Sequence, residues 1–388
     1  MVILWHALKA AIAWLENHAE WLLIGGLTVA GAANWTRWRR DKRLAKEVAA
    51  QQTALPILYV TPRVSVLLPA WNEVANIGPC IESILALRYP DIELVVCAGG
   101  ADGTLDVARC YATPDVIVLE QHQGEGKQRA LQRCFERSSG DIIFLTDAGC
   151  LPDDECFEKV VGPVISGVED ATTGSWRPLD AQLSNPFVVY QWTHSVYLEV
   201  VGGQYVSSLI GRNAVVRRQA LERVGAFKTP VPIGTDLFLS NQLLAAGYRI
   251  RFIRDSRVRT RYSETVSAYW RQLSRWYRNP VLLGMQSEAV TIRGRLNNLR
   301  AGLAALFLVG VPIIGAAGSK ILWYIWLTMT WHLTLGQIHA VRLSALRGVP
   351  RPRSNWQYVL FLPYMVLGWV GTARGLVESV LPWRRWKW

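Results

Sequence analysis

The chain has 388 residues, of which 51% are hydrophobic, and a formal net charge of +12. That length accommodates one ordinary soluble domain plus a few membrane helices, and the apolar content is high for a purely soluble domain. The charge would suit nucleic acid, anionic lipid or a phosphate-bearing substrate. No basic helix carries interleaved base-reading residues, so nucleic acid is set aside and lipid and phosphate lead.

Residues 1–38 contain an apolar segment from Trp21 to Ala33 that, with its less polar neighbours, is long enough for one spanning helix. It runs into Trp35-Thr36-Arg37-Trp38-Arg39-Arg40-Asp41-Lys42-Arg43, a flank that the positive-inside rule puts in the cytosol. A cleaved signal peptide is disfavoured, because Glu16, His18 and Glu20 interrupt the apolar stretch and the charge follows it. Trp is abundant, at 18 residues, and Trp35, Trp38, Trp383, Trp386 and Trp388 lie beside basic clusters, as at a membrane–water interface. Residues 39–60 form a basic linker.

From Val64 to Val160, short β-branched runs alternate with segments of helical spacing. Val64–Leu68, Ile92–Cys97, Val116–Leu119 and Ile142–Leu145 predict buried parallel strands, with helices over Glu73–Leu87 and Gly126–Arg137. That series predicts a doubly wound α/β sheet, with ligands at the carboxyl ends of the strands. All six cysteines (Cys80, Cys97, Cys110, Cys134, Cys150, Cys156) fall in this stretch without metal-type spacing, which predicts free thiols in a reducing compartment.

Chemistry-bearing residues follow the strands. Pro69-Ala70-Trp71-Asn72-Glu73 comes after the first, and Cys97-Ala98-Gly99-Gly100-Ala101-Asp102-Gly103-Thr104 after the second. The glycines fit either a close backbone approach to a ligand or a plain turn. After the fourth strand, Asp147 in Thr146-Asp147-Ala148-Gly149-Cys150 fits either a divalent-ion ligand bridging phosphates or a helix cap. Asp236, in Gly234-Thr235-Asp236, fits either a general base or an N-terminal helix charge with Thr235 as cap. In Trp270–Arg278, the residues Gln272, Arg275 and Trp276 share one helical face. An Arg there suits a diphosphate and an indole suits a sugar ring, although an interfacial helix has the same composition.

Beyond residue 296, apolar stretches cover Leu299–Ala317, Ile321–Ala340 and Trp356–Val380. Arg342, Arg347, Arg351 and Arg353 lie between the last two, which agrees with the cytosolic facing of the first basic flank. The last stretch carries Arg374 and Glu378, so it either spans or lies in the interface.

In this order the pieces resemble the family-2 glycosyltransferases of the GT-A fold in their membrane-integrated form. That group includes cellulose, chitin and hyaluronan synthases and ceramide glucosyltransferases. The resemblance covers Val64 to Arg278, and its most specific motif is Gln-x-x-Arg-Trp at Gln272–Trp276, ahead of the C-terminal apolar stretches. It implies a GT-A domain over 61–263, an interface helix over 264–295, and a transmembrane part of one N-terminal and two or three C-terminal helices. It implies that Pro69, Glu73, Asp102, Lys127 (in Gly126-Lys127-x-x-Ala130), Asp147, Gln272 and Arg275 bind the donor. Gly211, Arg212 and Trp276 bind the acceptor, Asp147 holds Mg²⁺ or Mn²⁺, and Asp236 is the catalytic base of an inverting displacement.

Three positions depart from the family pattern: Cys97-Ala98 stands for a pair of Asp, Gly149 for the second Asp of Asp-x-Asp, and Thr235 for Glu. The expected activity is transfer from a nucleotide sugar, UDP-linked by resemblance, to a lipid, lipid-linked or glycan acceptor. The expected location is the inner membrane of a bacterium, among membrane lipids, with the catalytic domain cytosolic. A processive polysaccharide synthase is the second reading, favoured by Gln-x-x-Arg-Trp. A degenerate transferase that only binds is the third. A dinucleotide-binding dehydrogenase is disfavoured because no Gly-x-Gly-x-x-Gly follows the first strand. A P-loop kinase is disfavoured because Gly124-Glu125-Gly126-Lys127 has the wrong spacing.

Overall fold

The structure, a computed structural model, describes residues 5–6, 10, 13–14, 16–50, 61–229, 234–273, 276, 292–315, 319–351 and 357–380. In chain order the first elements are α1 (Ala19–Ala50), β1 (Val64–Trp71), α2 (Val74–Leu85), β2 (Ile92–Gly99), α3 (Thr104–Arg109) and β3 (Val116–Glu120). Then come α4 (Gly126–Arg137), β4 (Ile142–Leu145), β5 (Cys150–Leu151), α5 (Asp154–Ile165), β6 (Ala171–Pro178) and α6 (Pro186–Val201). The remainder are β7 (Tyr205–Val206), β8 (Ala214–Arg217), α7 (Arg218–Arg223), α8 (Thr235–Ala245), β9 (Ile250–Thr260), α9 (Ile292–Ile314), α10 (Lys320–Ser344) and α11 (Gln357–Val380). They fall into two compact units, one built on residues 51–263 and the other on 1–50, 264–281 and 293–387.

The first unit is an α/β sandwich. Its sheet runs β3-β2-β1-β4-β8-β6-β9-β5, with β7 on β9. The strands predicted from Val64, Ile92, Val116 and Ile142 all form, and their ladders are parallel. From β4 outward the sheet becomes mixed: β8 is antiparallel to both β4 and β6, while β6 and β9 pair in parallel. Strand alternation sorts the core into two layers. Val64, Val66 and Leu68 join Ile77, Ile81 and Phe157 from α2 and α5 on one face. Leu67 and Val95 join Leu131, Phe135, Leu239 and Leu243 from α4 and α8 on the other. Buried Phe157 meets Phe144 and Tyr89 edge-on at centroid distances of 5.3 and 5.7 Å, a favoured aromatic arrangement. All six cysteines are free thiols, five buried and Cys110 exposed.

The second unit is helical. Helices form at each predicted apolar stretch, within α1, α9, α10 and α11. Residues 316–318 of one stretch and Trp356 of another lie outside the described residues. Among the described residues, however, no helix is long and apolar enough to cross a membrane. Basic residues fill α1 from Arg37 onward and open α9 at Arg293, Arg295 and Arg300, while α10 carries His332, Gln337 and His339. This unit is polar within: Asn34 Nδ2 donates to His332 Nδ1 (2.8 Å), and His339 Nε2 lies 3.1 Å from Asp41 Oδ2. Asn34, Asp41 and His339 are buried, whereas Leu22, Ile24, Val29, Leu303, Ile313, Ile325 and Trp331 are exposed.

Candidate active site

The loops after β1, β2 and β4 meet at the carboxyl edge of the parallel strands, where a doubly wound sheet places its ligands. Asn72 leaves β1 in the left-handed region (φ 55°), its N–H bonded to Gly99 O at 3.1 Å. Its Oδ1 accepts from Ala101 N–H at 3.0 Å. A Cβ on Gly99 would lie 2.2 Å from Gln121 O, and one on Gly100 (φ +119°) 2.2 Å from Asn72 Oδ1. These two glycines are therefore demanded by loop-on-loop packing. Asp102 fastens the same junction, accepting from Val74 N–H (3.0 Å), Thr104 N–H (3.1 Å) and Thr104 Oγ1 (2.6 Å). The Thr104 hydroxyl holds its carboxyl below the usual range. Glu73, half-buried beside it, accepts from Asn76 Nδ2 at 2.6 Å, and burial pushes its carboxyl up. Pro69 lies in β1, opposite Cys97 of β2.

Asp147 emerges from β4, and it is not the cap of the next helix. That role belongs to Asp153, whose side chain accepts from Cys156 N–H. Asp147 instead faces Lys127, from the first turn of α4, with Nζ 2.8 Å from its Oδ1. The same ammonium lies 3.4 Å from Asp236 Oδ1. Burial alone would push the Lys127 ammonium down; the Asp147 and Asp236 carboxylates overcome that and raise it. Asp236 is the second residue of α8, whose cap is Gly234 (φ 72°) and not Thr235. Gly211 forms a floor beneath Asp236: a Cβ there would lie 2.2 Å from Asp236 Oδ1. Thr146 Oγ1 donates to Arg212 O at 3.1 Å, tying the Asp147 loop to the Gly211 loop. The Arg212 guanidinium stacks over Trp176 at 5.3 Å, a pairing that favours a flat cation on an indole face.

Lys127, Asp147, Gly211, Arg212 and Asp236 thus converge, with Glu73 and Asp102 on the adjoining loops and Pro69 within β1. Gln272 and Trp276 belong to the helical unit, where Gln272 is half-buried and Trp276 is 39% exposed. Arg275 lies outside the described residues. Sequence reasoning did not single out Trp176 or Asn72. The positive φ of Asn72 and the side chain that bridges two loops carry no short-range signal.

No group of three or more His, Cys, Asp or Glu side chains gathers for a metal among the described residues. Asp147 has Gly149, with nothing within 4 Å of its Cβ position, where the family pattern has its second carboxylate. One carboxylate fits a divalent ion that takes its other ligands from water and substrate phosphates, as Mg²⁺ commonly does.

A family model described as "Glycosyltransferase like family 2" matches residues 62–279. The chain is similar to the probable glycosyltransferase YdaM of Bacillus subtilis, 27% identical over 237 residues, covering 56% of this chain and 55% of that protein. It is 28% identical over 200 residues to glycosyltransferase AglE of Haloferax volcanii, covering 50% of this chain and 65% of the relative. It is 23% identical over 225 residues to a poly-β-1,6-N-acetyl-D-glucosamine synthase of Staphylococcus aureus, covering 55% and 53%. The chain therefore spans between about half and two thirds of the length of these relatives. Among solved structures, the mannosyltransferase PcManGT from Pyrobaculum calidifontis, in complex with GDP-Man and Mn²⁺, shares the fold. The TM-score is 0.55 at 19% identity, covering 93% of this chain and 98% of that one.

Proposed function

The chain belongs to the family-2 glycosyltransferases, matched over 62–279, and from that premise we propose that it moves a sugar from a nucleoside-diphosphate sugar to a lipid or lipid-linked acceptor. The observation that carries this reading is the convergence of Lys127, Asp147 and Asp236 over the Gly211 floor. Asp236 takes the proton from an acceptor hydroxyl as that oxygen attacks the anomeric carbon, which inverts the configuration. A carboxylate fixed at a helix start by a close backbone floor is positioned for that work. Lys127 holds the donor diphosphate as it leaves, and a charge-matched group at the leaving oxygen lowers the barrier. Asp147 would hold Mg²⁺ or Mn²⁺, which supplies further neutralisation of the diphosphate charge. Arg212 lines the acceptor side, and the Trp176 face holds it in place.

The helical unit, on this reading, sits in a membrane with the catalytic unit on the cytosolic side. Its buried polar side chains and exposed apolar ones support that placement, since monomeric soluble proteins rarely expose large contiguous apolar surface. The basic flanks at Arg37–Arg43 and Arg342–Arg353 and the free thiols support the facing. A processive synthase is the second reading, favoured by Gln272-x-x-Arg275-Trp276. Detergent-purified protein supplied with a panel of nucleotide sugars and Mn²⁺ or Mg²⁺ separates the two. A single discrete glycolipid that depends on added lipid supports the first, and a ladder of long products the second. Asp236→Asn removes transfer and spares donor binding; transfer that persists in this variant refutes the base assignment.

A further inference from the structure

Lys127 has a role that donor binding alone does not require. One ammonium serves two carboxylates from separate elements, Asp147 after β4 at 2.8 Å and Asp236 at the start of α8 at 3.4 Å. Both carboxylates are about a third exposed, at 36%, so solvent and ligands reach them. The oxygen that meets Lys127 on Asp147 is one that a divalent ion would use, and two cations in contact with one carboxylate repel. The same ammonium also reaches Asp236, at 3.4 Å, so it is shared between two carboxylates. Lysine is a compact point charge on a flexible four-carbon stem, so it can change partners without moving its helix. A diphosphate offers it more negative oxygens than either aspartate does.

We propose that Lys127 is an internal counter-ion that masks Asp147 and Asp236 in the donor-free enzyme, and that the donor's diphosphate unmasks both by drawing the ammonium away. Metal binding then follows or accompanies donor binding. This also gives the Gly149 departure a consequence. With a single carboxylate on the Asp147 loop, one lysine is enough to keep a divalent ion out until phosphates arrive. The proposal rests on the functional reading of Asp147 and Asp236 given above.

The test is Mn²⁺ binding, followed by the loss of the free-ion signal in electron paramagnetic resonance, on the full-length protein. Wild-type protein with Mn²⁺ alone binds weakly, and adding UDP or GDP tightens binding beyond what the nucleotide binds in free solution. Lys127→Met binds Mn²⁺ alone at least about tenfold more tightly than wild type, the low end of what one adjacent charge does to a carboxylate equilibrium. Lys127→Arg, which keeps the charge, stays weak. Lys127→Gln, with a polar head, gives the same reading as Lys127→Met, and circular dichroism shows that each variant is folded. Two results overturn the proposal: wild-type protein that binds Mn²⁺ alone as tightly as with either nucleotide, or a folded Lys127→Met or Lys127→Gln no tighter than wild type. Failure of the functional reading is separate, since it shows as absence of turnover with every donor.

Discussion

Replacing Gly211 by alanine tests the site at its floor. The added methyl would lie 2.2 Å from Asp236 Oδ1, 2.4 Å from Cγ and 2.5 Å from Oδ2, where ordinary contact begins at 3.4 Å. The neighbour is the carboxylate itself, at the start of α8, so either it or the Gly211 loop gives way. The shortfall is about 1 Å, and a displacement of that size at a reacting group costs on the order of 100-fold in rate. That is about 2.7 kcal/mol of transition-state stabilisation. With the methyl against Asp236, kcat falls by roughly that factor. Nucleotide release under saturating donor measures kcat, and thermal melting shows that the fold is kept. Gly149→Ala is the steric control, because nothing lies within 4 Å of its Cβ position. A folded Gly211→Ala enzyme within about threefold of wild type would refute the placement of Asp236 against this loop as catalytically important.

Three further outcomes follow from the same structure. Phe157→Ala, at a fully buried side chain packed on Phe144 and Tyr89, lowers stability by about 3–5 kcal/mol, read as a shift in the denaturant midpoint. Asp102 has a folded pKa depressed below its ordinary value of 3.8, so its contribution is present above that value and is lost as pH falls through the folded one. Asp102→Asn removes that acid-side loss, and denaturant midpoints followed from neutral pH to below the ordinary carboxylate value show a flatter acid limb than wild type. Cys110 is the exposed thiol, so native protein titrated with a disulfide reagent yields one fast-reacting thiol, and unfolded protein yields all six.

The first four strands could be read from the sequence because each is an apolar, largely β-branched run, buried in β1, β2 and β4 and partly buried in the edge strand β3. The second half of the sheet was harder to read. β9 spreads its apolar residues across an arginine-rich stretch, Ile250–Thr260, and its pairing with β6 shifts register at Gly174/Ser175. Such an irregularity breaks the period-two pattern on which a strand assignment rests. Of the site, each aspartate was visible at the end of its run, but two competing roles could be settled only in three dimensions. Asp147 is not a cap because Asp153 is, and Gly99-Gly100 is required by packing against Gln121 and Asn72. The bridge from Lys127 to Asp147 and Asp236 had no local signature, because its partners come from separate elements. The apolar C-terminal stretches correctly marked helices. Among the described residues, no helix is long and apolar enough to cross a membrane.

The three departures from the family pattern fall around one charge. Ala98 stands for an aspartate in β2 and is fully buried, with its carbonyl accepting Gln121 N–H at 2.7 Å. A carboxylate there would be desolvated or would force the strand edge open. Gly149 removes a second negative charge from the Asp147 loop, and Thr235, buried beside Asp236, removes a third from the start of α8. Each change leaves less negative charge for a cation to balance. Lys127 lies between Asp147 and Asp236, with the Arg212 cation close enough to act on it. Restoring one charge shifts that balance. Gly149→Asp fits the open space at its Cβ position, so it tightens Mn²⁺ binding without steric cost, and more so when Lys127 is also replaced.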